Sequence, residues 1–237
     1  MNWHSIIFSE KMVRAIIAEK KSQTRRVLKK QPKVVVDGKA PYTWEVSGGD
    51  FDFSKSKILK CPYGKPGDFL WVKEKYALSL CDPETPEEDR DIKNSCIWDH
   101  PVYAATDKGG EWCMEEVVDE GLISKPIDAP WRNPVFMPRW VSRIYLKIVN
   151  ADLKRLHDIS EQDIIDEGIF LPPLYLGAIN GEPVENDSWW DAERKEMKDP
   201  WSFFSEEWDI INAKRGYPWK ENHWVWVVKF KIHEIFK

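Results

Sequence analysis

The side chains best suited to chemistry fall in one short run, Met12 to Arg26, which reads M-V-R-A-I-I-A-E-K-K-S-Q-T-R-R. Thr24 carries a hydroxyl that becomes a nucleophile when a base removes its proton. Lys21 lies three residues earlier, close enough to share a turn, and a lysine acts as that base only when its pKa is lowered. Lys20, Arg25 and Arg26 lower it by like charge, whereas the negative end of a preceding helix raises it. Arg25 and Arg26 suit a phosphate or a base edge, and Ser22 adds a polar contact beside them. Glu167 is the acidic partner on physical grounds. It falls at the C-terminal end of a predicted helix, where the dipole disfavours a carboxylate and suits a proton donor. Trp71 and Trp140 are the aromatics to test for stacking. Each residue also has an ordinary reading: Thr24 as a strand residue, Lys21 and Glu167 as solvated helix-end charges, the arginines as surface charge, the tryptophans as core.

Several elements must position these groups. Trp3 to Phe8 reads as a short strand. Ser9 can cap a helix over Glu10 to Glu19, where Met12, Val13, Ile16 and Ile17 recur at helical spacing. That helix ends near Lys20, and Thr24 to Leu28 continues as an extended segment. Val34 to Val36 and Tyr42 to Val46 are further short strands. The turn-rich C-P-Y-G-K-P-G-D of Cys61 to Asp68 delivers the chain into a buried strand, Phe69 to Lys73. Arg139 to Val149 alternates as a strand, with Ile144, Leu146 and Ile148 on one face.

In I-S-E-Q-D-I-I-D-E-G, Ile159 to Gly168, Ser160 is a helix cap and Asp163 its near-capping-box partner. Ile159 and Ile164 form a staple, and Gly168 is the stop. Asp199 and Pro200 start another helix, with Phe204, Trp208 and Ile211 on its apolar face. Trp224 to Ile232 is nearly continuous apolar strand, of a type usually buried in a sheet or barrel. Residues 79–134 and 170–199 lack a sustained period and read as insertions. The expectation is a single α+β domain over 1–237 with those two insertions.

The chain has 237 residues and a formal net charge of −5, which argues against a protein that coats nucleic acid with general positive charge. It leaves room for a local basic site, because Lys20 to Lys33 holds seven cations and no acid. No apolar run reaches the roughly 18 residues of a membrane helix, and the N-terminus shows no secretion signal. A cytoplasmic location without membrane association is expected. Cys61, Cys81, Cys96 and Cys113 make no C-x-x-C pair and read as free thiols. Cys96 and His100 have no second pair to complete a zinc site, so no metal and no cofactor are expected. The 14 tryptophans suit core and interface anchors, and some could stack on bases.

The run Ala18 to Arg26 resembles the signature of the ASCH family, roughly A-G-x-K-T-x-T-x-R. Gly67-Asp68 with Leu70 and Val72 resembles that family's G-D-x-L-x-V strand, Ile159 to Gly168 its short acidic helix, and Val225 to Phe230 its closing strand. C-P-Y-G-K-P-G-D, M-P-R-W-V-S-R-I and W-V-W-V-V-K-F are similar to stretches of larger phage- or prophage-encoded members. The resemblance implies a PUA-like mixed β-barrel with packed helices and RNA or nucleobase recognition in a cleft beside the first helix. Small bacterial members are amidohydrolases that remove the acetyl group of N4-acetylcytidine. Their catalytic Lys and Thr fall on Lys21 and Thr24, and their Glu on Glu167. The sequence departs from the pattern at Glu19 for Gly, Ser22 for Thr and Arg25 for an apolar residue. The substrate-contacting set is then Ser22, Arg25, Arg26 and Trp71, and the partner RNA or a modified nucleoside. The alternative is a non-catalytic phage accessory or assembly protein that binds a protein partner through the insertions.

Overall fold

The computed structural model describes residues 1–37, 41–47, 57–79, 100–106, 131–169 and 199–236. Most of the 79–134 insertion and nearly all of 170–199 therefore lie outside the described residues, and Cys81, Cys96 and Cys113 with them. The described chain has mixed α/β content. Its strands are β1 (Trp3–Ile7), β2 (Gln23–Val27), β3 (Val34–Asp37), β4 (Thr43–Ser47), β5 (Lys57–Lys60), β6 (Phe69–Lys73), β7 (Tyr76–Ser79), β8 (His100–Tyr103), β9 (Ile144–Arg155) and β10 (Trp224–Ile235). Its helices are α1 (Glu10–Ile17), α2 (Glu161–Asp166) and α3 (Pro200–Asn212). None of the helices is long and apolar enough to cross a membrane.

Five strands form the main sheet in the order β1-β6-β9-β10-β2, with β1 and β6 parallel and the other pairs antiparallel. This sheet does not close into the expected barrel: β1 and β2 are its edges. A side chain bridges the gap between them. The Arg26 guanidinium donates to the Ile7 carbonyl at 2.5 Å and sits over the Phe8 ring. β3, β4 and β5 form a second sheet, joined to the first where Trp44 meets Trp226 edge-on at 5.0 Å.

Two apolar clusters sandwich β10. Val228 and Phe230 face a core made with Val13 and Ile16 of α1 and Ile6 and Phe8 near β1. Val225 and Val227 face a second core with Ile164 of α2 and Phe204 and Trp208 of α3. Burial on both faces is why that strand reads as continuous apolar sequence rather than alternation.

β9 differs from its expected span. Arg139–Val141 is a 3-10 turn, and the strand runs on to Arg155. Pro138 removes a ladder donor, and the Ser142 hydroxyl donates to the Val72 carbonyl at 2.8 Å. Downstream, a register shift opposite Lys229 and Phe230 moves the buried set from Ile144, Leu146 and Ile148 to Ala151 and Leu153. A bulge of this kind breaks the two-residue period by which sequence alternation reveals a strand.

The helix ends set up the site. Ser9 caps α1, accepting from the Met12 N–H. At the other end the Glu19 N–H donates to the Ile16 carbonyl and the Lys20 N–H to Ala15, the paired bonds of a Schellman motif. Glu19 holds the left-handed position of that motif, at φ 57°. A left-handed residue with a Cβ costs roughly 1–2 kcal/mol, part of which glycine returns as unfolded-state entropy. Glu19→Gly is therefore expected to raise stability by about 0.5–1 kcal/mol, read as a higher urea midpoint at unchanged m-value. A lower midpoint would contradict this account of the turn.

Candidate functional site

The turn after α1 leads into β2, and two features bring α2 against it. The Ser22 N–H donates to the Asp166 carbonyl at 2.8 Å, and Lys21 pairs with Glu167 in an isolated antiparallel bridge. Gly168 makes the approach possible. It has φ 75°, and a Cβ there would lie 2.9 Å from the Lys21 Cβ and 3.0 Å from the Ala15 Cβ. The stop signal of α2 is thus also the contact point of three elements. The capping box of Ser160 and Asp163 fixes the other end of the helix.

Lys21 is 3% exposed. Its Nζ donates to the Glu167 carbonyl at 2.7 Å and to Glu167 Oε2 at 2.9 Å. Burial lowers the Lys21 pKa below the usual lysine value, the Glu167 charge opposes that, and Arg26 and Arg25 add to the lowering. A neutral amine has two N–H groups and one lone pair. With Glu167 accepting both N–H bonds, the lone pair is left for a proton from elsewhere.

Alternation along β2 sorts its side chains. Thr24 lies opposite Val228 and Arg26 opposite Trp226, so both face the α1 side of the sheet. Arg25 lies opposite Val227, on the side of α2 and α3. Lys21 Nζ and the Arg26 guanidinium lie 5.8 and 5.0 Å from the centroid of the Phe8 ring. Thr24 stands between them along the chain on that same face and is buried. Among the described residues no hydrogen bond joins Thr24 to Lys21 or Glu167. Lys21 and Glu167 are thus brought together, and Thr24 is buried three residues further along the chain, on β2.

Arg25 departs from expectation. It was expected to bind substrate in the cleft, yet it is 5% exposed and both terminal nitrogens are engaged. Nη1 donates to Glu167 Oε1 at 3.2 Å and Nη2 to Asp163 Oδ2 at 2.9 Å. Lys229 completes the cluster, donating to Asp163 Oδ1 at 3.3 Å. Burial works against the Asp163 carboxylate, but Arg25, the Ser160 N–H and Lys229 outweigh it and hold its pKa below the usual value. Asp163 reads in the sequence as a helix cap, and nothing in its spacing reveals the ion pair. Arg26 is half-buried and tied to Ile7, so it holds the sheet edges together as well as facing the Phe8 side. Ser22 is exposed, and its carbonyl accepts from the Phe230 N–H.

Trp71 is not part of this cluster. It lies on β6, separated from β2 by β9 and β10, about 14 Å away at ordinary strand spacing. Its position on the strand alternates with the core residues Leu70 and Val72, so it faces outward. Trp140 is exposed in the turn before β9.

Gln23 was not anticipated. Its side chain is fully buried, and among the described residues neither the amide oxygen nor the amide nitrogen has a partner. A buried unpaired amide costs about 1–3 kcal/mol per group. It also offers one donor and one acceptor side by side, the pattern that reads a base edge. Its only sequence signal is its position between Lys21 and Arg25. Tyr63, from the Cys61–Asp68 turn, lies close enough to Arg26 and Arg215 for both charges to act on its phenol, and burial raises its pKa. Among the described residues no group of three or more His, Cys, Asp or Glu could hold a metal ion.

Comparison with protein-family models, curated proteins and solved structures finds no match.

Proposed function

We propose that the chain recognises RNA or a modified nucleobase beside α1 and hydrolyses an N4-acylated cytidine there. The observation that carries this reading is the buried Lys21–Glu167 pair, with a lysine whose pKa burial has lowered; Thr24 follows Lys21 by three residues. In the reaction the Thr24 oxygen attacks the acyl carbonyl while Lys21 takes its proton. The C–N bond then breaks, and the proton that Lys21 took from Thr24 passes through Glu167 to the departing cytosine amine. Water hydrolyses the acyl-threonine ester and returns the free hydroxyl. One further feature supports the reading. The ASCH-like signature has Gly where Glu19 adopts a left-handed conformation, as a residue aligned with Gly should.

The test is Thr24→Ala against Thr24→Ser. The alanine variant is expected to lose deacetylation of N4-acetylcytidine to background, whereas serine retains a measurable rate because it keeps the hydroxyl. Circular dichroism should show both folded. Full activity in the alanine variant ends the hydrolase reading.

Binding without turnover is the second reading, and one observation favours it. Both carboxylate oxygens of Glu167 already accept from cations, so proton donation requires one of those contacts to open. That reading predicts nucleoside affinity in wild type and in Thr24→Ala alike, with no product from either. The further alternative, a protein partner docked through the insertions, rests on segments outside the described residues.

A further inference from the structure

The outward face of the main sheet is chemically distinct from the rest of this acidic chain. Strand alternation turns Trp3, Trp71, Tyr145 and Lys147 away from the α1 core, and their strands pair side by side as β1, β6 and β9. Trp3 stacks on Phe69 with centroids 4.6 Å apart and planes 21° from parallel. The Arg139 guanidinium lies 4.1 Å from the Trp3 ring centroid, and His233 packs on Phe69 at 4.8 Å. Planar groups from the turn before β9 and from β1, β6 and β10 thus form a continuous row. Tyr145 meets the edge of Trp3, and Phe236 meets Tyr145. Trp3 is 39% exposed and Phe236 49%.

Cations outnumber carboxylates on this face. Lys73 lies over the Trp71 ring at 5.0 Å. Lys147 and Lys231 sit directly opposite each other in the β9–β10 register. Like charges placed so are destabilising unless a counter-charge arrives. Glu234, opposite Tyr145, and Asp152, opposite Val227 beyond the bulge and 3.7 Å from Lys154, are the carboxylates at the outward paired positions of these four strands among the described residues. The whole chain carries a formal charge of −5, so this positive strip is a local choice rather than a reflection of composition.

From this juxtaposition we infer that the outer sheet face is a second binding site, for single-stranded nucleic acid. Unpaired bases supply π faces to the aromatic row, and the phosphates between them supply the missing anions for Lys73, Arg139, Lys147 and Lys231. A duplex would withhold its base faces. An apolar protein surface would leave the opposed lysines uncompensated. The face spans four strands, the scale on which a sheet takes two or three stacked bases. The site is independent of the Lys21–Glu167 cluster, which lies across the sheet beyond β10.

The test uses the full chain with fluorescein-labelled 12-mers of oligouridylate and oligodeoxythymidylate, followed by anisotropy over a series of salt concentrations. Binding that weakens as salt rises is expected, and the two oligomers separate RNA from DNA as the ligand. Trp71→Ala should weaken binding roughly tenfold by loss of one stacking platform. Lys147→Gln with Lys231→Gln should flatten the log–log salt slope by about 1.4, from two lost phosphate contacts. Neither change should alter nucleoside hydrolysis, and Lys21→Met should leave oligonucleotide binding as in wild type. The proposal is overturned if wild type binds neither 12-mer at low salt. It is equally overturned if Lys21→Met abolishes binding while the sheet-face variants bind normally, since the strand then lies in the other site. A wild-type dimer that Trp71→Ala converts to monomer, with no competition from either 12-mer, would reassign the face to self-association.

Discussion

Replacing Lys21 by Met is expected to lower kcat/KM for N4-acetylcytidine by about 10²–10⁴, the usual worth of a positioned acid–base group. Methionine keeps most of the side-chain length and apolar bulk but supplies no base. The pH dependence makes the prediction specific. Burial lowers the Lys21 pKa from its ordinary 10.5, so the free amine forms at lower pH than in a solvated lysine. The wild-type rate should rise with pH through an apparent pKa below 10.5, and the methionine variant should lack that limb. Stability carries the same signature. Between the lowered pKa and 10.5 the folded state binds fewer protons than the unfolded chain, so this group makes stability rise with pH across that window. Below it, folding bears the cost of a buried ammonium that Glu167 only partly offsets. Lys21→Met should lose that slope. A variant with wild-type rate, or with the high-pH limb intact, would remove Lys21 from the mechanism. Loss of the stability slope with no loss of rate would leave it a structural residue.

Arg25→Ala is expected to destabilise the fold by about 3–5 kcal/mol, the range for removing one partner of a buried ion pair. The reason is what remains. Glu167 keeps only Lys21, and Asp163 keeps Lys229 and its cap contacts, around a cavity where the guanidinium was. Arg25→Lys should recover part of the loss, since one ammonium cannot serve both carboxylates with the geometry of the planar fork. The acid limb should change as well. Asp163 has a lowered pKa in the folded state, so its contribution is fully present above the usual value of 3.8 and is lost as pH falls through the folded pKa. Without Arg25 that acid-dependent loss should shrink. Urea midpoints at neutral pH and near pH 3 read both effects, and a neutral-pH change under about 1 kcal/mol would mean that the cluster does not hold α2 to β2.

The two experiments also separate the roles of neighbours that share one carboxylate. Lys21 donates through Nζ to Glu167 Oε2, and Arg25 through Nη1 to Glu167 Oε1. Lys21→Met should act chiefly on rate and Arg25→Ala chiefly on stability. Because both touch Glu167, their effects are expected not to add.

Much of the local structure was legible in the sequence because it is set by short-range chemistry. The caps at Ser9, Ser160 and Asp199, the left-handed stop at Gly168, and the apolar continuity of β10 are each fixed within a few residues. The nearness of Lys21 to Thr24 is likewise a matter of three positions along the chain. Alternation failed where the bulge in β9 reversed it, since a bulge arises from pairing and leaves no period to read.

Other facts depended on which surfaces the fold brings together. Sequence spacing cannot tell that the Arg25 guanidinium turns inward to Glu167 and Asp163, about 140 residues away, because that follows from the Gly168 contact with Lys21 and Ala15. It cannot tell that Trp71 faces away from Lys21 across the sheet, because strand order is a long-range property. Burial, which moves the Lys21 pKa and leaves the Gln23 amide unpaired, is set by the packing of α1, α2 and β10 around β2. The sequence alone determined which side chains could react. The tertiary structure decided which are dry, which are paired and which share a face, because solvation and partner geometry exist only once distant segments pack.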